Sequence, residues 1–266
     1  MELDEIFNYA RSGDPTKRKQ AEEYIDQTGV NNYDVFLMSC AQYLSNEEYN
    51  VLNRQLVGTI IKNMISGRSK FAGKWLELNS DIRFELKTIV LSTLASKFVE
   101  VRRIAGNCIA GICKIEFPRK EWLDLLDTLN LTSKNSDMNI RSATITTLGY
   151  IVQEIDSDCL DSSDINKILE AILQNLNANE DYLIRKECIL ALLYSIVLAN
   201  SNFSGVQDRN YLMIAIYNAL DFPEVELRTY AMQCIVEFAR LYYDYLEDQI
   251  DKIQEICDKH VYIKIN

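Results

Sequence analysis

An arginine followed by small and apolar residues at helical spacing recurs along this chain with a period of about forty residues. Arg102 precedes Ala105, Cys108, Ile109 and Ile112; Arg141 precedes Thr144, Leu148 and Ile151. Arg185 precedes Cys188, Ala191 and Leu192; Arg228 precedes Ala231, Cys234, Ile235 and Phe238. These four arginines stand 39, 44 and 43 positions apart, and weaker copies begin at Arg18 with Ala21 and at Arg54 with Val57. Each copy is one face of an α-helix. A single helix pair cannot cover its own apolar stripe, so each must stack on the next to form a continuous core. The period therefore implies an all-α chain, a right-handed α-solenoid of about six HEAT repeats plus the first helix of a seventh. The expected repeats are 1–30, 31–78, 79–117, 118–160, 161–203 and 204–241, with a partial repeat at 242–266. The arginines read as structural, each reaching a backbone or acidic acceptor in the adjacent repeat.

Three prolines and nine glycines in 266 residues leave room for nearly continuous helix. Asp14-Pro15 marks one helix start, Pro118 another that runs to about Leu131, and Pro223 a third. Residues 66–79 read as a loop, with Phe71 and Trp75 pinning it to the array. Leu241–Cys257 reads as the first helix of a further repeat with no second helix. A purposeful polar cap is not visible there, so the chain is expected to be the N-terminal part of a longer array.

The formal net charge is −11, and no basic footprint dominates, which argues against nucleic acid as a partner. An acidic surface suits basic partners. No apolar run of about eighteen residues is present to span a membrane. MELDEIFNYA lacks the pattern of a secretory signal. Seven cysteines, most of them on apolar helical faces, indicate a reducing compartment, cytoplasm or nucleus.

Catalytic chemistry finds no footing. The single histidine, His260, has Cys257 three residues before it, and two ligands do not make a metal site. There is no phosphate-cradling glycine motif and no nucleophile–base pair. Neither an enzyme nor a cofactor is expected. From periodicity and composition alone, the chain is a helical-repeat interaction protein, and a general HEAT scaffold or regulatory subunit remains an alternative reading.

Several runs narrow this. IIKN at Ile60–Asn63, KWLEL at Lys74–Leu78, CIAGICKIEFPRKEW at Cys108–Trp122, TLGYIVQEID at Thr147–Asp156, LANSNF at Leu198–Phe203 and LYYDYLE at Leu241–Glu247 occur in that order. In order and spacing they resemble the N-terminal portion of the importin-β family of nuclear import receptors, over essentially the whole chain. The resemblance implies a receptor, or its N-terminal fragment, found in cytoplasm and nucleus, including the nuclear pore. It implies binding of GTP-loaded Ran through the first repeats, at positions matching Lys62 and Arg68; Arg68 stands where the family often has lysine. It also implies binding of nucleoporin FG repeats between repeats five and six, at Leu169, Leu173, Asp208, Tyr211 and Leu212. Tyr211 replaces a common phenylalanine there, and Glu170 adds a charge beside the cleft. The importin-α adaptor or basic cargo is expected to bind only if later repeats are supplied.

Overall fold

The computed structural model describes residues 2–66, 71, 73–199 and 204–261. Among the described residues there are fourteen α-helices and no strand. The chain divides into two compact units, Met1–Cys159 and Leu160–Asn266.

The first unit contains α1 (Leu3–Ala10), α2 (Pro15–Asn31), α3 (Tyr33–Ser45), α4 (Val51–Ile65), the short α5 (Lys74–Glu77), α6 (Ser80–Ser92), α7 (Val99–Glu116), α8 (Leu125–Thr132) and α9 (Met138–Glu154). Helices pair as hairpins, α1 with α2, α3 with α4, α6 with α7 and α8 with α9, while α4 packs on α7 and α7 on α9. These second-helix contacts are close. A Cβ on Gly58 of α4 would lie 2.5 Å from Ile104 Cγ1, and one on Gly106 of α7 would lie 2.6 Å from Thr147 Oγ1. The residue three after each signature arginine in this unit (Ala21, Val57, Ala105, Thr144) is fully buried.

The second unit contains α10 (Ser162–Leu173), α11 (Tyr182–Ser195), α12 (Val206–Ala219), α13 (Val225–Leu241) and α14 (Ile250–Val261). Here α10 pairs with α11, α12 with α13, and α11 packs on α13. Short polar side chains cap several of the helices in both units. Asp14 accepts from Thr16 N at 2.8 Å, Asp137 from Asn139 N at 2.8 Å and Asp181 from Leu183 N at 2.7 Å, satisfying amides that have no intrahelical partner. Asp161 and Asp164 form a reciprocal capping box at α10.

The signature arginines do something more regular than the sequence reading anticipates. Arg18, Arg102, Arg141 and Arg228 each donate Nη1 to the carbonyl six residues earlier, at Ser12, Ser96, Asn135 and Phe222, over 2.7–2.9 Å. The acceptor is thus in the turn that precedes the arginine's own helix. A bridge to the next helix pair is added at Arg102, which reaches Asn139 Oδ1 at 3.0 Å, and at Arg185, whose two terminal nitrogens grip Glu224 at 2.9 and 2.8 Å. Arg18, Arg102, Arg141 and Arg228 therefore staple the preceding turn to their own helix, whereas Arg54 bonds Leu44 O at the end of α3 and Ser96 Oγ beyond α6.

Three local expectations change. Residues 74–77 are helical, not loop, and Trp75 is buried with its Nε1 donating to Glu116 Oε1 at 3.1 Å. Pro118 does not open a long helix; it sits in a 3₁₀ turn, Phe117–Arg119, that finishes α7, and α8 begins only at Leu125. The cause is a left-handed Lys120 (φ 55°) that closes α7 with Glu121 N to Glu116 O at 3.0 Å and Lys120 N to Phe117 O at 2.9 Å. After Leu241 two 3₁₀ turns, Tyr243–Tyr245 and Glu247–Gln249, intervene, so the next helix starts at Ile250.

Candidate partner-binding surfaces

In the first unit Lys62 lies on the last turn of α4, where a cation complements the helix dipole. Its Nζ donates to Asn107 Oδ1 on α7 at 3.2 Å and stands 3.7 Å from Glu154 Oε1 on α9. Lys114 Nζ, also on α7, reaches Glu154 Oε2 at 2.9 Å. Two cations from adjacent second helices thus share one carboxylate on a third. The Lys114 hydrogen bond holds the Glu154 carboxyl below its ordinary value of 4.5, against the opposing effect of partial burial, and Lys62 adds to the same direction. A partner carboxylate arriving here competes with Glu154 for both ammonium groups. Asn107, Lys114 and Glu154 were not singled out from sequence, yet they stand 45 and 40 positions from their partners. The repeat period itself was the signal that links them. Arg68 lies outside the described residues, as do the side chains of Cys257 and His260.

In the second unit Leu169 and Leu173 of α10 and Leu212 of α12 are buried. Asp208 is exposed and Tyr211 is 61% exposed. Asp208, Tyr211 and the exposed Ile214 recur every third residue and so share one side of α12. The opposite side is anchored by Arg209, Leu212, Met213 and Ile216, all buried. Arg209 stacks its guanidinium 5.6 Å from the centre of the Tyr245 ring. Gln249 closes the arrangement, donating to Asn210 Oδ1 at 3.0 Å and accepting from Tyr217 Oη at 3.0 Å. Of the five side chains expected to form this cleft, two are open to solvent and three are buried. Ile214 was missed because a helix with apolar residues on several sides does not declare which side is outward. Glu170 is exposed on α10.

Among the described residues no group of three histidine, cysteine or acidic side chains is placed to hold a metal ion. None of the described helices is long and apolar enough to cross a membrane.

Fold and surfaces together define a HEAT-type helical-repeat protein that presents charged second-helix ridges and an aromatic first-helix face. No protein-family model matches the chain. Importin subunit beta-1 of Arabidopsis thaliana is 32% identical over 267 residues, covering 98% of this chain and 31% of the relative. A crystal structure of importin β superposes with a TM-score of 0.85 and 27% identity, covering 94% of this chain and 30% of that one. Yeast Kap95p superposes in a structure in which its binding induces the switch loops of RanGDP to adopt the GTP-bound conformation, with a TM-score of 0.87 and 24% identity. It superposes equally in a complex with Nup1, with a TM-score of 0.85 and 24% identity. Within the helical-repeat class this chain is similar to importin β over nearly its whole length, and it spans about a third of the length of the curated relatives it matches.

Proposed function

We propose that the chain is the Ran- and pore-binding part of a nuclear import receptor, a binding protein that acts in cytoplasm and nucleus and at the nuclear pore. The observation that carries this reading is the 32% identity to importin β across 98% of the chain. The solved complexes of Kap95p with Ran and with Nup1 give its structural precedent. On this reading the repeats divide at 1–30, 31–78, 79–117, 118–160, 161–203 and 204–241, with a partial repeat from 242. GTP-loaded Ran engages the second helices of the first unit around Lys62 and Lys114, with Arg68 contributing nearby. A carboxylate of Ran displaces Glu154 from the two lysines, an exchange that keeps both ammonium groups paired throughout.

Nucleoporin FG repeats engage the second unit. A phenylalanine packs beside Tyr211 and Ile214, over an apolar floor of Leu169, Leu173 and Leu212, with Asp208 at the rim. Burying one such ring removes about 150–250 Å² from water, roughly 4–6 kcal/mol before ordering costs. Lost translational and conformational freedom is of the same order, so a single contact is weak and exchanges quickly. Many motifs on one disordered strand then hold the receptor through avidity. Glu170 shifts preference toward motifs with a nearby basic or neutral flank. Adaptor or basic-cargo binding belongs to later repeats.

Calorimetry against Ran loaded with GTP and, separately, with GDP tests the first surface. Selective binding of the GTP form is expected, and equal binding of the two forms would sink that assignment. Tyr211→Asp tests the second: it is expected to abolish capture of an FG-repeat peptide while leaving the helical circular dichroism signal intact.

A further inference from the structure

The second helices of the second unit meet differently from those of the first. Gly58 and Gly106, each four residues after a signature arginine, bring α4, α7 and α9 into backbone-close contact. The matching residues of α11 and α13 are Ile189 and Met232, and neither helix contains a glycine. The α11–α13 joint is pinned at its ends instead. At the N-terminal ends the buried Arg185 of α11 sets two parallel N–H···O bonds on Glu224, and its guanidinium lies 4.7 Å from the centre of the Phe222 ring. Its Nε donates to Glu180 O at 3.0 Å, so the fork is fixed from behind. Beside it Glu226 accepts from two α11 side chains, Lys186 Nζ at 2.6 Å and Tyr182 Oη, and from Tyr230 Oη at 3.2 Å on its own helix. Glu224 stands at the N-cap of α13, yet its carboxylate makes no cap bond to that helix and serves α11.

At the C-terminal ends the pin is neutral. Tyr242, just past α13, donates its hydroxyl to Ile196 O at 2.7 Å, in the 3₁₀ turn that follows α11. One end of the joint is thus held by carboxylates and cations, the other by a phenol and a carbonyl. The first helices depend on this joint for their spacing. Helix α10 packs on α11 and α12 on α13, whereas α10 and α12 have little direct contact. In each hairpin the end of the first helix lies beside the start of the second. The charged pin therefore governs the groove between α10 and α12 at its Leu173–Ala219 end, and the neutral pin governs it at its Ser162–Val206 end.

We propose that Glu224 and Glu226 are positioning residues that latch the charged end of this joint and so set the width of the groove between α10 and α12. Without their charge, Arg185 is left as a buried cation with no opposite charge to offset it. Opening the joint at that end returns the guanidinium to water, and α12 and α13 pivot together about the Tyr242 contact. The groove then widens at its Leu173–Ala219 end. The inference rests on the import-receptor reading only for the groove's occupant, an FG motif. The pivot itself stands without it.

The test uses the full chain with Cys159→Ser and Cys257→Ser and spin labels on introduced cysteines. One pair, Gln174→Cys with Asn218→Cys, reports the charged end; the other, Ser163→Cys with Gln207→Cys, reports the neutral end. All four positions are exposed. Double electron–electron resonance reads both separations. Glu224→Gln with Glu226→Gln is expected to lengthen the first by about 2 Å or more and to leave the second unchanged. Tyr242→Phe is expected to do the reverse. These substitutions preserve side-chain size, and an unchanged circular dichroism spectrum verifies the fold. Wild-type separations in the glutamine variant, or equal lengthening of both pairs, would overturn the pivot. Capture of an FG-repeat peptide by the glutamine variant is expected to weaken about tenfold. If wild type and that variant capture the peptide equally, the positioning role is overturned. If wild type captures none, the import-receptor reading fails and the separations alone decide the pivot.

Discussion

Glu116 is buried and accepts hydrogen bonds from Trp75 Nε1, Arg83 and Lys87, so three elements converge on one carboxylate. Removing it strands the Lys87 ammonium and an indole N–H, and leaves Arg83 with Glu121 alone. Glu116→Ala is expected to cost about 3–5 kcal/mol, read as a fall in the denaturant midpoint with a change in tryptophan fluorescence. At Lys120 the expected sign is opposite. Its left-handed backbone occupies the position where glycine is favoured, so Lys120→Gly is expected to stabilise by about 1 kcal/mol despite the lost Cys159 contact. Glu154 gives a pH dependence. Its folded-state value is depressed, so its contribution is present above the ordinary value of 4.5 and is lost as pH falls through the lower folded value. The stability gap between wild type and Glu154→Gln is accordingly expected to narrow as pH drops below 4.5, by thermal melts across the acid range. The recurring arginine was legible in the sequence. Its acceptor was not, because a carbonyl six residues back carries no side-chain signature.

Helix packing in the first unit depends on two glycines that take the second helices into backbone-close contact. Gly58→Ala drives a Cβ to 2.5 Å from the branched Ile104 side chain, which has no flexible end to move aside. The expected loss is about 1–3 kcal/mol by chemical denaturation, as for other overpacked cores. At this scale most of the architecture was legible. Asp14-Pro15 opens α2, and the helices after Arg102, Arg141, Arg185 and Arg228 follow their apolar stripes. The errors fall where backbone conformation overrides pattern. Residues 117–124 contain a proline that signals a helix start, yet the left-handed Lys120 and Trp122 postpone α8. Residues 242–249 carry an apolar and acidic pattern that continues a helix, yet Tyr242 leaves it to bond Ile196 O at 2.7 Å, and two 3₁₀ turns follow. Local backbone closure decided the first and a tertiary contact the second.

Across the whole molecule, each of the two units carries its own buried set, from Ile6 and Phe7 to Ile151 in the first and from Ile168 to Phe238 in the second. A fragment comprising residues 1–159 is expected to keep a helical spectrum and a cooperative melt, as stacked repeats stabilise chiefly through nearest neighbours. A non-cooperative melt of that fragment would show that its core is incomplete. Function was legible only through the resemblance. The outward face of α12 presents one aromatic among residues that equally suit a core, and the Lys62 ridge resembles any solvated charge until α7 and α9 are seen beside it. The burial of the cysteines has a practical consequence of its own. Cys40, Cys108, Cys113, Cys188 and Cys234 are buried, and loss of solvation raises the Cys108 thiol to about 12 and pushes Cys40, Cys113 and Cys234 up as well. Such groups present almost no thiolate to an alkylating reagent. Among the cysteines whose side chains are described, Cys159, half-exposed at the last position of the first unit, is therefore the one open to a maleimide dye.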